Sequence, residues 1–252
     1  MAIYLKKFET QAAYEAAESS LILPNVSLTV DNNTVHYNPS SPIPPTPSHD
    51  YVEIGGIKWA TMNIGATGIT DYGLYFQWGD TQGYTAAQVG SDKQFTWNDY
   101  KYTNDGGTTM TKYNETDGLV TLQASDDAVT AAWGGNWRTP TENEFTTLID
   151  AVNIGWVSDY QDSGVAGIVC TDKTDNSKVL FFPVAGYCIN GNSIFVGREG
   201  YYWSSSLNTY DDDIKSAIYL FIAEGGHTPF DEIYWEGRLR FHGCTVRGVL
   251  DE

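Results

Sequence analysis

Residues 133–149 read WGGNWRTPTENEFTTLI, and they predict a loop that turns into an amphipathic helix packed against a sheet. Pro140 suits the first turn of a helix, where no backbone N–H is needed, and Thr139 before it supplies a cap. Two glutamates follow at the positive end of the helix dipole. The apolar side chains beyond them have the spacing of one helical stripe and are Phe145, Leu148, Ile149 and Val152.

Two bulky residues precede this helix, and each has a structural interpretation. Trp137 is large enough to seal the helix against a sheet. Arg138 is expected to pair with a buried carboxylate or to cap backbone carbonyls. We therefore interpret Arg138 as a structural side chain.

From residue 51 onward, short apolar runs alternate with Gly, Asn, Asp and Ser, a pattern typical of short strands and tight turns. Strand candidates include YVEIGGIKWATMNI, KVLFFPVAG, SAIYLFIA and YYWSSS, and alternation in the last makes Trp203 a core residue. A second helix is expected over residues 122–134, and a long insertion occupies residues 81–118. The predicted class is α+β, with a mostly antiparallel sheet and two helices.

The N-terminal part of the chain differs from the rest. Residues 1–38 predict a small module built from a strand, a short helix and the hairpin SLTV-DNN-TVHY. Residues 39–49 form a proline-rich linker, since proline removes backbone donors and favours an extended spacer. The main domain is expected over residues 50–252. A module as small as 1–38 can hardly bury its own core, which favours docking on copies of itself or on a larger assembly.

The chain is strongly acidic, with 14 basic residues against 32 acidic ones and a formal net charge of -18. Long-range repulsion therefore argues against nucleic acid and anionic membranes as partners. No basic segment followed by an apolar one opens the sequence, so no export signal is expected. Three cysteines without metal-ligand spacing are interpreted as small core residues, namely Cys170, Cys188 and Cys244.

Four segments carry a family resemblance: IKWATMNIGAT with YGLYFQWGD, then WGGNWRTPTENEFTTLI, GYYWSSS and FHGCTVRGV. In this order they resemble the FISUMP-type major paralogous domain of the C-type lectin fold superfamily, over residues 51–250. That superfamily also holds phage tropism determinants diversified by retroelements and the formylglycine-generating enzymes. The resemblance implies a C-type-lectin-like domain whose ends meet, with the closing strand CTVRGVL paired to the first strand of the domain.

In the family that the chain resembles, residues 207–242 correspond to the exposed face that varies most between members. Tyrosine, tryptophan and arginine are frequent there, and they offer contact area at low entropic cost. The candidate ligand-binding residues are Tyr210, Asp211, Tyr219, Phe221, His227, Tyr234, Trp235, Arg238 and Arg240. Strand alternation predicts that Tyr219 and Phe221 point outward while their aliphatic neighbours point inward. The alternative is that both rings fill the underside of a long loop.

Two patterns are reminiscent of metal sites. Residues 97–99 spell the WND triplet of calcium-dependent lectins, but they lie in the insertion and no EPN or QPD partner occurs. The three aspartates 211–213 have the chemistry to chelate a hard cation such as calcium, but three adjacent carboxylates in a polar loop favour a solvated turn. No metal and no cofactor are therefore expected.

The residues support catalysis less than they support binding. The formylglycine-generating branch uses a pair of thiols near the C-terminus, and here only Cys244 lies there. No pattern places Cys170 or Cys188 within the roughly 7 Å between Cα atoms that a thiol pair requires. The four histidines are too scattered for a triad. The chain is expected not to be an enzyme.

Residues 1–38 resemble the N-terminal module of structural proteins of phages that infect gut bacteroidetes. The two resemblances together imply a head-fibre or tail-associated phage adhesin, located in the virion, that binds a host-surface glycan or protein receptor. Residues 1–38 would then contact other virion proteins, and such fibres are commonly homotrimers. The alternatives are a bacterial FISUMP-domain surface adhesion protein and an oxidase similar to the formylglycine-generating enzymes.

Overall fold

The computed structural model of the protein describes residues 27–31, 34–38, 49–210, 214–224 and 237–252. The strand and helix predicted at the start of the N-terminal module lie outside these residues, as does nearly all of the proline-rich linker. The chain divides into two units, Met1–Ser48 and His49–Glu252.

The first unit contains the predicted hairpin. Strands β1 (Ser27–Asp31) and β2 (Thr34–Asn38) pair antiparallel, with Val30 opposite Val35. The two apolar runs therefore pair as the antiparallel strands that the sequence pattern predicts.

In the second unit, one sheet joins the beginning and the end of the domain. Strands β3 (Tyr51–Ile54) and β4 (Ile57–Asn63) form a hairpin through two glycines whose φ angles are +62° and +75°. These left-handed angles suit glycine because it has no Cβ. The sheet order is β3-β4-β14-β5, where β5 is Trp137–Arg138 and β14 is Arg247–Leu250.

The closing strand does not pair with the first strand of the domain, which corrects that prediction. Strand β14 pairs with β4, placing Val249 opposite Trp59. Strand β4 is longer and more buried than β3, so it takes the inner position and leaves β3 at the sheet edge. The two ends of the domain still meet in one sheet.

Three further sheets complete the second unit. One is the antiparallel set β6 (Val152–Val157), β7 (Gly167–Asp172) and β8 (Val179–Pro183). The next is the hairpin β9 (Tyr187–Ile189) and β10 (Asn192–Ile194). The last is β11 (Glu199–Leu207), β12 (Ser216–Ala223) and β13 (Arg238–Leu239). All pairings between these strands are antiparallel, and with the two helices they confirm the α+β class.

Helix α1 (Ala128–Trp133) is shorter than predicted and begins at an aspartate cap. The Asp127 carboxylate accepts hydrogen bonds from the backbone N–H groups of Val129 and Thr130. It also accepts the N–H and hydroxyl of Thr139. One buried carboxylate therefore caps α1 and ties it to the segment before the second helix.

Helix α2 (Glu142–Ala151) is capped by Thr141, and this corrects the prediction of Thr139 as the cap. Thr141 Oγ1 accepts the N–H of Glu144, whose carboxylate accepts the N–H of Thr141 at 2.7 Å. The reciprocal capping box favours a start at Thr141, so Pro140 precedes the helix and does not enter it. Neither helix is long and apolar enough to cross a bilayer, and no other helix in the described residues is.

The pair β11 and β12 is buried on both faces. Tyr202, Leu220 and Ile222 belong to the core formed with α2 and the β6–β8 sheet. Trp203 and Tyr219 belong to a second core, to which the insertion contributes Tyr100 and Tyr113. Trp203 is thus a core residue, as predicted. Both faces of this sheet are therefore covered by other parts of the chain, whereas strand alternation alone predicts one buried face.

Candidate binding face

Arg238 lies on a patch of aromatic rings. Its guanidinium carbon is 3.9 Å from the ring centroid of Tyr187, 4.0 Å from that of Tyr201 and 5.4 Å from that of Tyr219. The rings of Tyr187 and Tyr201 are 4.9 Å apart and inclined at 66°. They therefore contact the guanidinium from adjacent directions and not from opposite sides. Such cation–π contacts orient a planar cation and limit its rotamers.

The strand register builds the rest of this patch. Tyr201 on β11 is opposite Phe221 on β12, and their ring centroids are 5.2 Å apart. Tyr201 also stacks on Tyr219 at 5.6 Å. We call the set of Tyr187, Tyr201, Tyr219, Phe221 and Arg238 the Tyr–Arg face. Its side chains stand on hydrogen-bonded strands, so their positions are set by the sheet.

An exposed apolar tip, Phe195 and Val196, borders the Tyr–Arg face. Both residues are 41% exposed, and the ring centroid of Phe195 is 6.2 Å from that of Tyr187. Phe195 has a φ of +58°, a left-handed conformation that costs a non-glycine residue on the order of 1 kcal/mol. The backbone thus holds an aromatic ring in solvent at a conformational cost.

His242 supports Arg238 from below the patch. Arg238 Nη1 and His242 Nδ1 are 3.1 Å apart, and His242 is almost fully buried. Burial, together with the adjacent Arg238 charge, lowers the pKa of His242 to about 3. The imidazole is therefore neutral at physiological pH, and Nδ1 accepts a hydrogen bond from Arg238, so the proton is assigned to Nε2.

Replacing His242 by Gln is expected to reduce the loss of stability at acidic pH. The folded-state pKa of about 3 lies below the ordinary value of 6.5, so the unfolded chain binds more protons between these values. Wild-type stability therefore falls as pH decreases through this window. Urea unfolding at pH 7.5 and pH 5.0 should show the variant gaining about 2 kcal/mol relative to wild type. An equal stability difference at both pH values would contradict the neutral, buried histidine.

The structure brings together three of the nine predicted ligand-binding residues, namely Tyr219, Phe221 and Arg238. Tyr219 is only 8% exposed, so the prediction that it stands in solvent is wrong; the rings of Tyr201 and Trp203 pack beside it. Phe221 is half-buried. Tyr210 comes after the C-terminal end of β11, away from Tyr201 near its start. It is 59% exposed, and its hydroxyl donates a hydrogen bond to Glu142.

Arg240 is not displayed for a ligand, which corrects another expectation. Its residue exposure is 0%, and Nη1 donates to the backbone carbonyls of Lys112 and Tyr113. The guanidinium also lies over the rings of Trp78 and Tyr100. Arg240 therefore ties the insertion to the C-terminal segment. The remaining predicted residues lie outside the described ones and are Asp211, His227, Tyr234 and Trp235.

Sequence reasoning missed Tyr187, Phe195 and Tyr201. They precede the segment 207–242 in the chain, and only sheet pairing brings them to it. The dense aromatic run GYCINGNSIFVGREGYY over residues 186–202 was the available signal.

Arg138 confirms its structural interpretation. Its guanidinium donates to both carboxylate oxygens of Glu144, at 2.7 and 2.6 Å, and to the carboxylate of Asp251. These partners raise the pKa of Arg138. A cleft of about 480 Å³ lies beside this ion pair, with Trp137 and Ser205 among its lining residues.

The three cysteines are free and buried, as predicted. One expectation about them needs correction: Cys188 does come close to Cys244 in the fold, because its backbone N–H and C=O bond to Gly243 at 2.7 and 2.9 Å. Burial raises the pKa of Cys188 to about 12 and also raises the pKa of Cys244. Both thiols are therefore protonated at neutral pH and poorly nucleophilic.

The WND triplet serves its own loop. The carboxylate of Asp99 accepts the backbone N–H groups of Gln94, Phe95 and Thr96, so it orders the insertion. Within the described part of the chain, no three His, Cys, Asp or Glu side chains are grouped to hold a metal ion. The aspartates 211–213 lie outside that part.

The fold and this face define an α+β domain that presents a rigid aromatic and arginine surface beside an exposed apolar tip. No family model, curated protein or solved structure matches the chain.

Proposed function

We propose that the protein is a non-enzymatic adhesin that binds a host-surface receptor through the Tyr–Arg face and the tip formed by Phe195 and Val196. The observation that carries this proposal is the exposed Phe195 ring, held at a φ of +58° next to Tyr187. A conformation of this kind lowers stability, and strained positions concentrate at ligand-binding sites. Covering an exposed phenylalanine ring with a partner removes apolar surface from water, which stabilises the complex.

The chemistry of the face suits a receptor contact. Tyrosine and arginine bury a large area while losing few rotamers, and they are frequent in binding hot spots. Here the rings are preorganised by the pairing of β11 with β12. Little conformational entropy is then lost when a partner binds.

The proposed setting is a phage virion, as a head-fibre or tail-associated protein with a C-type-lectin-like domain. The resemblances of residues 1–38 and 51–250 support this setting, and the α+β class, with the two ends of the second unit in one sheet, is compatible with it. Residues 1–38 would contact other virion proteins, and the protein would act as a homotrimer. A bacterial FISUMP-domain adhesion protein is the alternative. An oxidase is disfavoured by the raised pKa values of Cys188 and Cys244.

Phe195→Asn tests the proposal because asparagine tolerates left-handed φ angles. Binding of the labelled full-length protein to a panel of gut bacteroidetes is measured by flow cytometry. On a strain that binds the wild type, the variant should bind at least about tenfold more weakly, the scale of a lost hot-spot residue. Its melting temperature should be unchanged or higher, since the strain is relieved.

Tyr51→Asn is the matched control, because Tyr51 is a similarly exposed aromatic residue, at 48%, on the edge strand β3. It should leave cell binding unchanged. Equal losses in both variants, or no loss for Phe195→Asn, would reject the Tyr–Arg face and its tip as the receptor site.

A further inference from the structure

Arg238 is a cation without an anionic partner in the described part of the chain. Other partly buried cations there do have carboxylate partners: Lys93, Lys101, Lys112 and Arg138. Among the described residues, no Asp or Glu forms an ion pair with Arg238. Buried or half-buried charges are ordinarily paired or fully hydrogen-bonded. Arg247 also lacks a carboxylate partner, but each of its three nitrogens donates to an oxygen, whereas Arg238 Nε has no acceptor among the described residues.

The hydrogen-bond donors of Arg238 are also incompletely used. Its Nε is buried and has no acceptor among the described residues. Nη1 bonds to His242, which is neutral because its pKa is lowered to about 3. A guanidinium has five N–H donors. With His242 and the Tyr187 side chain as neutral partners, the guanidinium keeps donors for a ligand, while its side chain is already partly removed from water.

The carboxylate of Glu199, on β11, bonds to the aromatic patch and forms no ion pair with Arg238. The hydroxyl of Tyr201 donates to Glu199. Tyr201 thus contacts Arg238 with its ring and Glu199 with its hydroxyl. This arrangement keeps the guanidinium on the aromatic patch and leaves its charge uncompensated by the described carboxylates.

Resting on the proposed function of the Tyr–Arg face, we propose that Arg238 recognises a carboxylate of the receptor glycan, carried by an acidic sugar such as a uronic or sialic acid. The planar guanidinium matches a carboxylate in a bidentate pair, and its stacking on tyrosines fixes the orientation beforehand. The rings of Tyr187 and Phe195, 6.2 Å apart, offer apolar faces to the C–H groups of adjoining sugar rings.

The charge of the whole chain limits what kind of anion this site accepts. With a formal net charge of -18, the protein repels densely charged polyphosphates at separations up to about one Debye length. A single carboxylate on a largely neutral glycan avoids most of this repulsion. It still gains the local, partly desolvated contact with Arg238.

The test uses the full-length protein and a bacteroidetes strain that binds it. Surface carboxylates on the cells are converted to alcohols by carbodiimide activation and borohydride reduction. Wild-type protein should bind reduced cells about tenfold or more weakly than untreated cells, as expected for a lost charge-assisted pair. Arg238→Gln should bind both kinds of cell equally weakly. Arg238→Lys should bind untreated cells with an affinity between those of the wild type and Arg238→Gln, because lysine keeps the charge but cannot form the bidentate pair. Near-identical melting curves show that the variants fold.

Three outcomes would overturn the proposal. One is wild-type binding that carboxylate reduction does not change, and another is an Arg238→Gln variant that still distinguishes treated from untreated cells. The third is loss of binding after protease treatment of the cells together with resistance to periodate, which assigns the carboxylate to a protein. Phe195→Asn distinguishes failure of the proposed function from failure of the Arg238 proposal. If this variant abolishes binding while carboxylate reduction has no effect, the face is the receptor site and the Arg238 proposal alone fails.

Discussion

Replacing Arg247 by Met is expected to lower the free energy of unfolding by about 3 to 5 kcal/mol, the largest single-residue effect we anticipate. Arg247 is completely buried and donates to the Asn63 side chain at 2.9 Å and to the carbonyls of Ala60 and Phe181 at 3.0 Å. It lies against the ring of Phe182. Removing the guanidinium leaves three acceptors without this donor inside the core.

The geometry explains why the cost is high. Burial lowers the pKa of Arg247 to about 10, which still leaves the side chain charged at neutral pH. Its hydrogen bonds join β14 to β4 and to β8, two strands of different sheets. A methionine of similar length fills the volume but forms no hydrogen bonds between these strands.

Urea unfolding followed by tryptophan fluorescence measures the change. Arg247→Lys should recover less than half of the stability that Arg247→Met loses, because an ammonium cannot reach three acceptors that lie in different directions. Arg198→Met is the matched control on an exposed arginine, with an expected change within about 0.5 kcal/mol. A similar small change for Arg247→Met would show that these hydrogen bonds do not stabilise the fold.

Replacing Asp126 by Asn is expected to cost about 2 to 4 kcal/mol and to loosen the insertion. The Asp126 carboxylate is buried and accepts the hydroxyl of Tyr113 at 2.6 Å. It pairs with Lys112 and, at 3.4 Å, with Lys101. Although desolvation opposes ionisation, hydrogen bonds from Lys112 and the tyrosines hold the pKa of Asp126 well below its usual range. The isosteric amide keeps the shape and loses the charge.

The pH dependence supplies the check. A carboxyl whose folded-state pKa is depressed contributes stability above its unfolded pKa of about 4, and this contribution is lost as pH falls toward the folded value. The stability gap between wild type and Asp126→Asn should therefore be full at pH 7 and narrow toward pH 3. Hydrogen exchange should rise in residues 100–122. Asp150→Asn, at an exposed aspartate, should change neither quantity, and a gap that stays constant with pH would rule out the charged network.

The local elements were predictable where a short pattern carries its own physics. The N-terminal hairpin forms where two apolar runs flank polar residues, and α2 forms where the 133–149 stretch predicts it. Its cap differs by two residues, because the capping box of Thr141 with Glu144 is stronger than the proline signal at Pro140. Trp203, Arg138 and the three cysteines are structural for the reasons that their sequence contexts suggest.

The candidate site was predictable only in part. Alternation along β12 placed Tyr219 and Phe221 together on one face, and Arg238 joins them through β13. The same pattern failed to show that a second core covers Tyr219 and that Arg240 anchors the insertion. Both depend on residues 100–113, which lie more than a hundred positions away in the chain.

Periodicity, turn residues and charge reach only a few positions along the chain, and within that range they establish the α+β class, the hairpins, the presence of the two helices and the acidic character. Which face of a strand meets water depends instead on what packs over it, and that contact joins segments far apart in the chain. The register of β11 on β12 puts Tyr201 beside Phe221, and the β9–β10 hairpin brings Tyr187 to Arg238. No local pattern encodes these distances, because long-range packing sets them.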